Sequence, residues 1–367
     1  MSNLRVCIVG GVFGMPPEYQ RKITMTPETT LAAGLREKGF DVVTTSHREF
    51  QPVDDFDIVH VHHLALGALK MASSGAHPVF VFTSHNGELM SGFEKSIVRR
   101  SAMRYVLSRC RAVVALSDRE ATFLRNRSRG VPQVVVIPNG IRSDIFYPRP
   151  AGLRANAGTR IFLFVGSLTP LKGVDILLRA FASLAGGDRN RLRLVYQYAG
   201  IENTYRRLCA ELRIADRVEF VGPVASARLG EVYRDADVVV LPSRAEALPS
   251  VITEALLSGV PVVATDVGGV AEQVGTYGVV VRPDSVQELI AGMEKVAEMQ
   301  NIFAGLAPEM HQYAKRKFDP MLMIDRHCEL YAQLLAVPRD RRRVSLLDRA
   351  VGFAARVHEY LPRLKKG

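Results

Sequence analysis

Short apolar runs alternate with segments that carry apolar residues at helical spacing, and glycine, proline or polar clusters separate the two. Residues 4–10 (LRVCIVG) form a continuous apolar run into the glycine-containing turn GGVFG. A helix is expected over 29–38, stopped by Gly39, and a strand over 41–45. This βαβ unit implies a parallel sheet. Further strands are expected at 57–61, 79–83, 111–117 and 134–137, with helices at 94–109 and 118–126. Residues 148–157 are rich in Pro, Gly and Ala without periodicity and form the best linker candidate. The pattern then restarts, with strands at 160–166, 192–199, 218–221, 238–241, 261–264 and 279–281 and helices at 174–184, 204–212, 250–258 and 285–299. The expected architecture is α/β, with two Rossmann-like parallel-sheet domains (1–150 and 151–318) facing each other across a ligand cleft. A closing helix over 319–336 and an amphipathic tail over 337–367 follow.

Charge adds a regional feature to this picture. The 367-residue chain has a formal net charge of +11. Residues 95–129 carry ten Lys/Arg against Asp118 and Glu120, and residues 337–367 carry nine against Asp340, Asp348 and Glu359. Two basic segments on an otherwise slightly acidic chain favour an anionic surface as partner. In the tail, Arg339, Arg341, Arg342 and Arg343 precede Leu347, Val351, Ala354 and Leu361 at helical spacing. That is the pattern of an interfacial helix on anionic lipid, although an arginine-rich solvated face packed on the first domain has the same pattern. No aromatic-interleaved or helix-turn-helix pattern points to nucleic acid. Cys7, Cys110, Cys209 and Cys328 are scattered without a CxxC pair. With no signal-peptide pattern and no long apolar span, they suggest reduced thiols in a cytoplasmic protein.

Three places carry candidate chemistry. Within GSLTPLKG (166–173), Lys172 stands just before a helix start, where free N–H groups and an ammonium would suit a diphosphate. The loop is not a Walker A motif, and a solvated lysine at a helix start is the alternative. Glu246 and Glu254 flank an expected loop-to-helix junction. They can be read as an acid/base couple or as acceptors of sugar hydroxyls. Glu254 lies among Val251, Ile252, Ala255, Leu256 and Leu257, a costly place for a carboxylate without hydrogen-bond donors. His60, His62 and His63 crowd the end of one strand, and His85 follows another. No carboxylate or Cys stands near them at ligand spacing, so no metal is expected. His85 reads equally as a ligand contact at a strand's carboxyl end and as an ordinary loop histidine.

The run EALPSVITE, with Glu246 and Glu254 in an E-x7-E arrangement, resembles retaining glycosyltransferases of family 4 in the two-domain GT-B fold. VGSLTPLKG, RVEFVGPV, YRDADVVVLPS and GVPVVATDVGGVAE extend the likeness, as do DIVHVHH, FTSHN, VVALSDRE and VIPNGI in the first half. The resemblance covers residues 4–336, with the motifs in family order. It implies transfer of a hexosyl unit with retention from a nucleotide-diphosphate sugar (a UDP- or GDP-hexose), without metal or other cofactor. It also implies a saccharide or lipid-linked acceptor in polysaccharide, glycolipid or glycoconjugate synthesis.

By the same resemblance, Glu254 would hold the ribose hydroxyls, and Glu246 with the amides around Leu248 and Ser250 would face the hexose. Lys172 would neutralise the departing diphosphate, and His85 would approach the sugar from the N-terminal domain. Ser167, Ala247, Gly11 and Gly222 would complete the donor contacts. Two departures stand out: Ser167 occupies a position where many members carry Arg, and Ala247 replaces a common glycine. Ser167 keeps open a catalytically weak nucleotide-sugar-binding or scaffold subunit. An epimerase or phosphorylase of the same fold fits the E-x7-E context less well.

Overall fold

The computed structural model describes residues 4–16, 26–76, 78–85, 87, 90, 97–127, 133–150, 158–197, 200–337, 345, 348 and 351. The chain divides into two units, residues 1–140 with 320–367, and residues 141–319.

The first unit is built on a parallel sheet of β1 (Arg5–Val9), β2 (Asp41–Thr45), β3 (Ile58–His62), β4 (Val79–Thr83), β5 (Ala112–Ala115) and β6 (Val134–Val136), in the order β2-β1-β3-β4-β5-β6. β3, β4 and β5 are buried throughout, which explains the apolar runs of β4 and β5, while β3 carries His60 and His62 among its apolar residues. The order reverses between β1 and β3, the position where open α/β sheets hold ligands at their carboxyl ends. Helices α1 (Pro27–Glu37), α2 (Leu66–Ser73), α3 (Ile97–Leu107) and α4 (Asp118–Arg127) accompany this sheet. α1 begins at a capping box, in which Thr26 and Thr29 satisfy each other's backbone N–H groups.

The second unit repeats the plan with β7 (Arg160–Val165), β8 (Asn190–Val195), β9 (Val218–Gly222), β10 (Val238–Leu241), β11 (Val262–Thr265) and β12 (Gly278–Val281). Its sheet is parallel, ordered β12-β11-β10-β7-β8-β9. Its switch point falls between β7 and β10, so the loops after these strands are brought side by side. Helices α5 (Val174–Ser183), α6 (Glu202–Glu211), α7 (Leu229–Asp235), α8 (Ser250–Leu257), α9 (Val270–Val274), α10 (Val286–Glu298) and α11 (Gln300–Lys317) belong to this unit. The expected two-sheet α/β architecture is therefore present.

The division between the units falls at Gly140/Ile141, earlier than the expected boundary at residue 150. Residues 141–149 belong to the second unit by packing. Arg149 donates to the carbonyls of Arg234 and Ala236, and Gly230 lies against the Ile145 carbonyl. Most of the expected linker, residues 151–157, lies outside the described residues. α12 (Pro320–Ala336) returns to the first unit and packs on α1. Gly34 allows that approach, since a Cβ there would lie 2.0 Å from Ile324 Cδ1. Four helices absent from the sequence reading are α2, α7, the short α9 and the long α11, which runs through Pro308. The turn GVFG is a 3₁₀ helix and not an open loop.

All four cysteines are free; burial pushes the Cys7 thiol up to about 12 and the Cys209 thiol up to about 11. Of the tail, only residues 337, 345, 348 and 351 are described. Buried Asp348 accepts from Tyr105 Oη at 2.6 Å and Arg109 Nη2 at 2.8 Å, which ties this part of the tail to the basic helix region. The remainder of the interfacial-helix expectation lies outside the described residues.

Candidate functional site

After β7, residues Pro170–Lys172 form one 3₁₀ turn that ends at Gly173. Gly173 has φ +65°, and a Cβ there would lie 2.0 Å from the Pro242 carbonyl oxygen. Only glycine lets the β7 loop press against the β10 loop in this way. Arg244 secures the same turn: its N–H donates to Leu171 O at 2.8 Å, and its guanidinium forms a bidentate pair with Asp175 and reaches Asp284. Lys172 therefore projects from a braced turn.

Its ammonium lies 2.6 Å from Glu246 Oε1, which also accepts from Ser243 Oγ at 2.6 Å. The Glu246 side chain is 9% exposed and Lys172 25%. Thr265 Oγ1 donates to the Ser243 carbonyl at 2.5 Å, and Gly269 N–H donates to Ala247 O at 2.7 Å. Gly268, with φ +53°, lies directly over the Glu246 carbonyl. The loop after β11 thus backs the loop after β10, and the Glu246 carboxylate is fixed from two sides.

Glu254 lies one turn into α8. Its Oε2 accepts from Tyr233 Oη at 2.6 Å, with Ser250 as a second hydrogen-bond partner. Burial raises the Glu254 carboxyl above its ordinary value, and these two hydrogen bonds oppose that rise. The costly carboxylate noted in the sequence is thus met by hydroxyl donors. Gln273 Nε2 bonds both Pro249 O and Thr253 Oγ1, which anchors the helix entry.

The structure gathers Lys172, Glu246, Ala247, Leu248, Ser250 and Glu254 around the switch point of the second sheet. Ser167 opens the same loop as Lys172 and is half-buried, with its Oγ 3.5 Å from Thr169 Oγ1. Gly222 ends the edge strand β9, two strands from β7, at φ +78°. Gly11 lies in the first unit, where an added Cβ would meet nothing within 4 Å, so the chain's own packing does not require glycine there. Ser243 and Tyr233 were not singled out from sequence. Ser243 read only as a break after a strand, and Tyr233 as part of YRDADVVVLPS. A cavity of about 460 Å³, lined in part by Arg149, Asp237, Ser258 and Gln300, opens before β10 and β11, at the opposite ends of these strands from Glu246.

His85 lies in the first unit. β3 and β4 pair with His62 opposite Thr83, which brings His85 onto His62: Nδ1 of His62 and Nε2 of His85 are 2.7 Å apart. His60 is fully buried between Tyr331 Oη and Thr83 Oγ1, each at 2.7 Å, and is structural. His63, at φ +71°, turns the chain and places Nε2 3.1 Å from Glu28 Oε1. Burial lowers the His62 and His85 values, His85 to about 4.

Comparison with known proteins accords with this geometry. Residues 149–317 match the family described as glycosyl transferases group 1, and residues 5–145 match glycosyltransferase family 4. A D-inositol 3-phosphate glycosyltransferase of Nocardiopsis dassonvillei is 30% identical over 306 residues, which cover 75% of this chain and 71% of that protein. Its counterpart from Nocardia farcinica is 33% identical over 256 residues, 62% of this chain, and the chain spans only 55% of that protein's length. Among solved structures, sucrose-phosphate synthase from Thermosynechococcus elongatus superposes with a TM-score of 0.77 at 19% identity, covering 91% of this chain and all of that one. HepE of Anabaena in complex with UDP gives 0.71 at 20% identity, covering 90% of this chain and all of that one. Both halves match in chain order, and the two parallel sheets with their switch-point loops are those of the GT-B fold. This chain belongs to the GT-B glycosyltransferase family.

Proposed function

We propose that the protein transfers a hexosyl unit, with retention of anomeric configuration, from a UDP- or GDP-hexose to an anionic acceptor, lipid-linked or saccharide. The observation that carries this reading is the braced Lys172–Glu246 pair beside Glu254, at the switch point of a parallel sheet. Glu254 accepts the two ribose hydroxyls through its remaining lone pairs while Tyr233 holds its orientation. The diphosphate draws the Lys172 ammonium toward itself and away from Glu246, which turns to the hexose hydroxyls. Lys172 stabilises the charge that grows on the diphosphate as the bond from C1 to the phosphate oxygen breaks. The acceptor oxygen bonds C1 on the same face, and its proton leaves with the diphosphate. His85 is assigned to the hexose.

The +11 charge and the exposed Ile97 and Val98 on basic helix α3 support an anionic acceptor or membrane surface. The relatives are named for D-inositol 3-phosphate, which is likewise anionic. Radiolabelled UDP- and GDP-hexoses, with the product's anomeric configuration read by NMR, test the reading. An inverted product would refute retention. The second reading, a donor-binding subunit with little turnover, is favoured by Ser167 and by the engagement of neighbouring Arg244 with Asp175 and Asp284. Tight donor binding without transfer or hydrolysis would establish it and exclude the first.

A further inference from the structure

Metal was not expected among the strand-end histidines because no carboxylate stands near them in sequence. The fold supplies one. Glu28 comes from the first turn of α1, His62 from the last position of β3 and His85 from the segment after β4. One donor atom from each of these three residues lies within 4.8 Å of the others. Glu28 is 5% and His62 2% exposed. The outer ring nitrogen of His62, Nε2, is buried without a hydrogen-bond partner among the described residues, while Asn139 is a hydrogen-bond partner of His85.

We propose that Glu28, His62 and His85 form a binding site for a divalent ion of the zinc class, wholly within the first unit. Two imidazole nitrogens and one carboxylate oxygen are a borderline-soft donor set, suited to zinc, cobalt or nickel and poor for magnesium or calcium, which prefer oxygen ligands. The protonation states fit. Burial favours neutral imidazoles with available lone pairs at His62 and His85. At Glu28 burial acts most strongly and upward, but the His63 hydrogen bond and the surrounding imidazoles prevail and hold the carboxyl well below its usual range. His63 Nε2 orients Glu28 at 3.1 Å, the kind of support that metal-binding carboxylates commonly receive.

The facing His62 and His85 nitrogens, 2.7 Å apart, share a proton. Bonds of about 2.0–2.1 Å to one tetrahedral ion would set them about 3.3 Å apart. Binding therefore shifts that proton to the outer nitrogen of the ring that held it, which keeps both imidazoles neutral, and parts the facing nitrogens by roughly half an ångström. Because His85 is also assigned to the donor hexose, zinc at this site should slow transfer, a consequence the binding test does not require.

The test is calorimetric titration of the chelator-treated full chain with Zn²⁺ and, separately, Mg²⁺, in buffers of different ionisation enthalpy. The expected result is one Zn²⁺ per chain with little net proton release, no heat with Mg²⁺, and at least about a tenfold loss of affinity in Glu28→Gln and in His62→Gln. Unchanged zinc affinity in both folded variants, or no zinc binding by the unaltered chain, would overturn the proposal. If either variant fails to fold, anomalous scattering from zinc-soaked crystals of the unaltered protein decides. A peak between Glu28, His62 and His85 supports the site, and a peak only elsewhere refutes it.

Discussion

Replacing Lys172 with Met would remove an ammonium 2.6 Å from Glu246 Oε1 and leave the carboxylate with the Ser243 hydroxyl. Breaking a buried ion pair from one side costs about 3–5 kcal/mol. Lys172 is 25% exposed, so water reaches the pair, and the expected loss falls to about 2–3 kcal/mol. For a unit spanning residues 141–319, each kcal/mol moves the thermal midpoint by about 2–4 °C, giving a fall of about 4–12 °C. Glu246→Gln keeps an acceptor for Ser243 and frees Lys172 to water, so it should cost only about 1 kcal/mol. The double variant no longer buries an orphan charge and should be less destabilised than the sum of the singles by about 1–2 kcal/mol. Calorimetric unfolding of the four proteins measures this cycle, because the transition of the second unit is the one that moves. Additivity within about 0.5 kcal/mol would mean that the pair does not brace the loop, and the proposed exchange of Glu246 for diphosphate would lose its basis.

Other perturbations test neighbouring links. Tyr233→Phe removes one of two hydrogen bonds that oppose the upward effect of burial on Glu254, so the Glu254 carboxyl should titrate still higher and stability should fall by about 1–3 kcal/mol. A carbon-13 NMR titration of the glutamates follows both effects, and an unmoved carboxyl would refute the assignment. Gly173→Ala meets the Pro242 carbonyl in a left-handed conformation that itself costs about 1–3 kcal/mol; thermal unfolding should show a larger loss, and a midpoint within 1–2 °C of the original, by the roughly 2–4 °C per kcal/mol scale, would contradict the close approach. His327 is pushed down to about 4 by burial, facing His60 and Tyr331 and bonded to Met323 O. It contributes stability above its unfolded value of 6.5 that is lost as pH falls through about 4, and His327→Gln should flatten the stability profile of the first unit between those limits.

Strands 79–83 and 238–241 were legible to the residue because strands buried on both faces leave uninterrupted apolar runs, and the half-exposed edge strand 41–45 was legible through its β-branched residues after the stop at Gly39. α11 was not, since Pro308 inside it and its mostly polar surface obscure the period. α2 is short and hides a buried Lys70, whose ammonium is satisfied by the carbonyls of Arg48 and Phe50, partners that no local pattern announces. Pro148 and Arg149 look like linker, yet Arg149 locks onto the end of α7. In the site, Lys172 and the two glutamates were visible through loop spacing and burial cost. Tyr233 acts by reaching Glu254 from another helix, and Ser243 by a bond to Glu246 that depends on how the loop after β10 folds, so neither role shows in a local pattern. Glu28 meets His62 and His85 only because a capping box starts α1 beside the ends of β3 and β4. Sequence distance concealed that cluster completely.

The return of α12 has a consequence for synthesis. The second unit is one uninterrupted stretch, whereas the first is assembled from the chain's beginning and its end. α12 brings Met323, Ile324, Leu330, Tyr331 and Leu334 to the core that contains Ile8, Leu31 and Leu35. On the ribosome, the portion made first waits with that apolar flank bare while residues 141–319 emerge and fold as a neighbourly, self-sufficient body. The unit begun first is thus completed last, and the interval between is when the nascent chain most needs protection from aggregation.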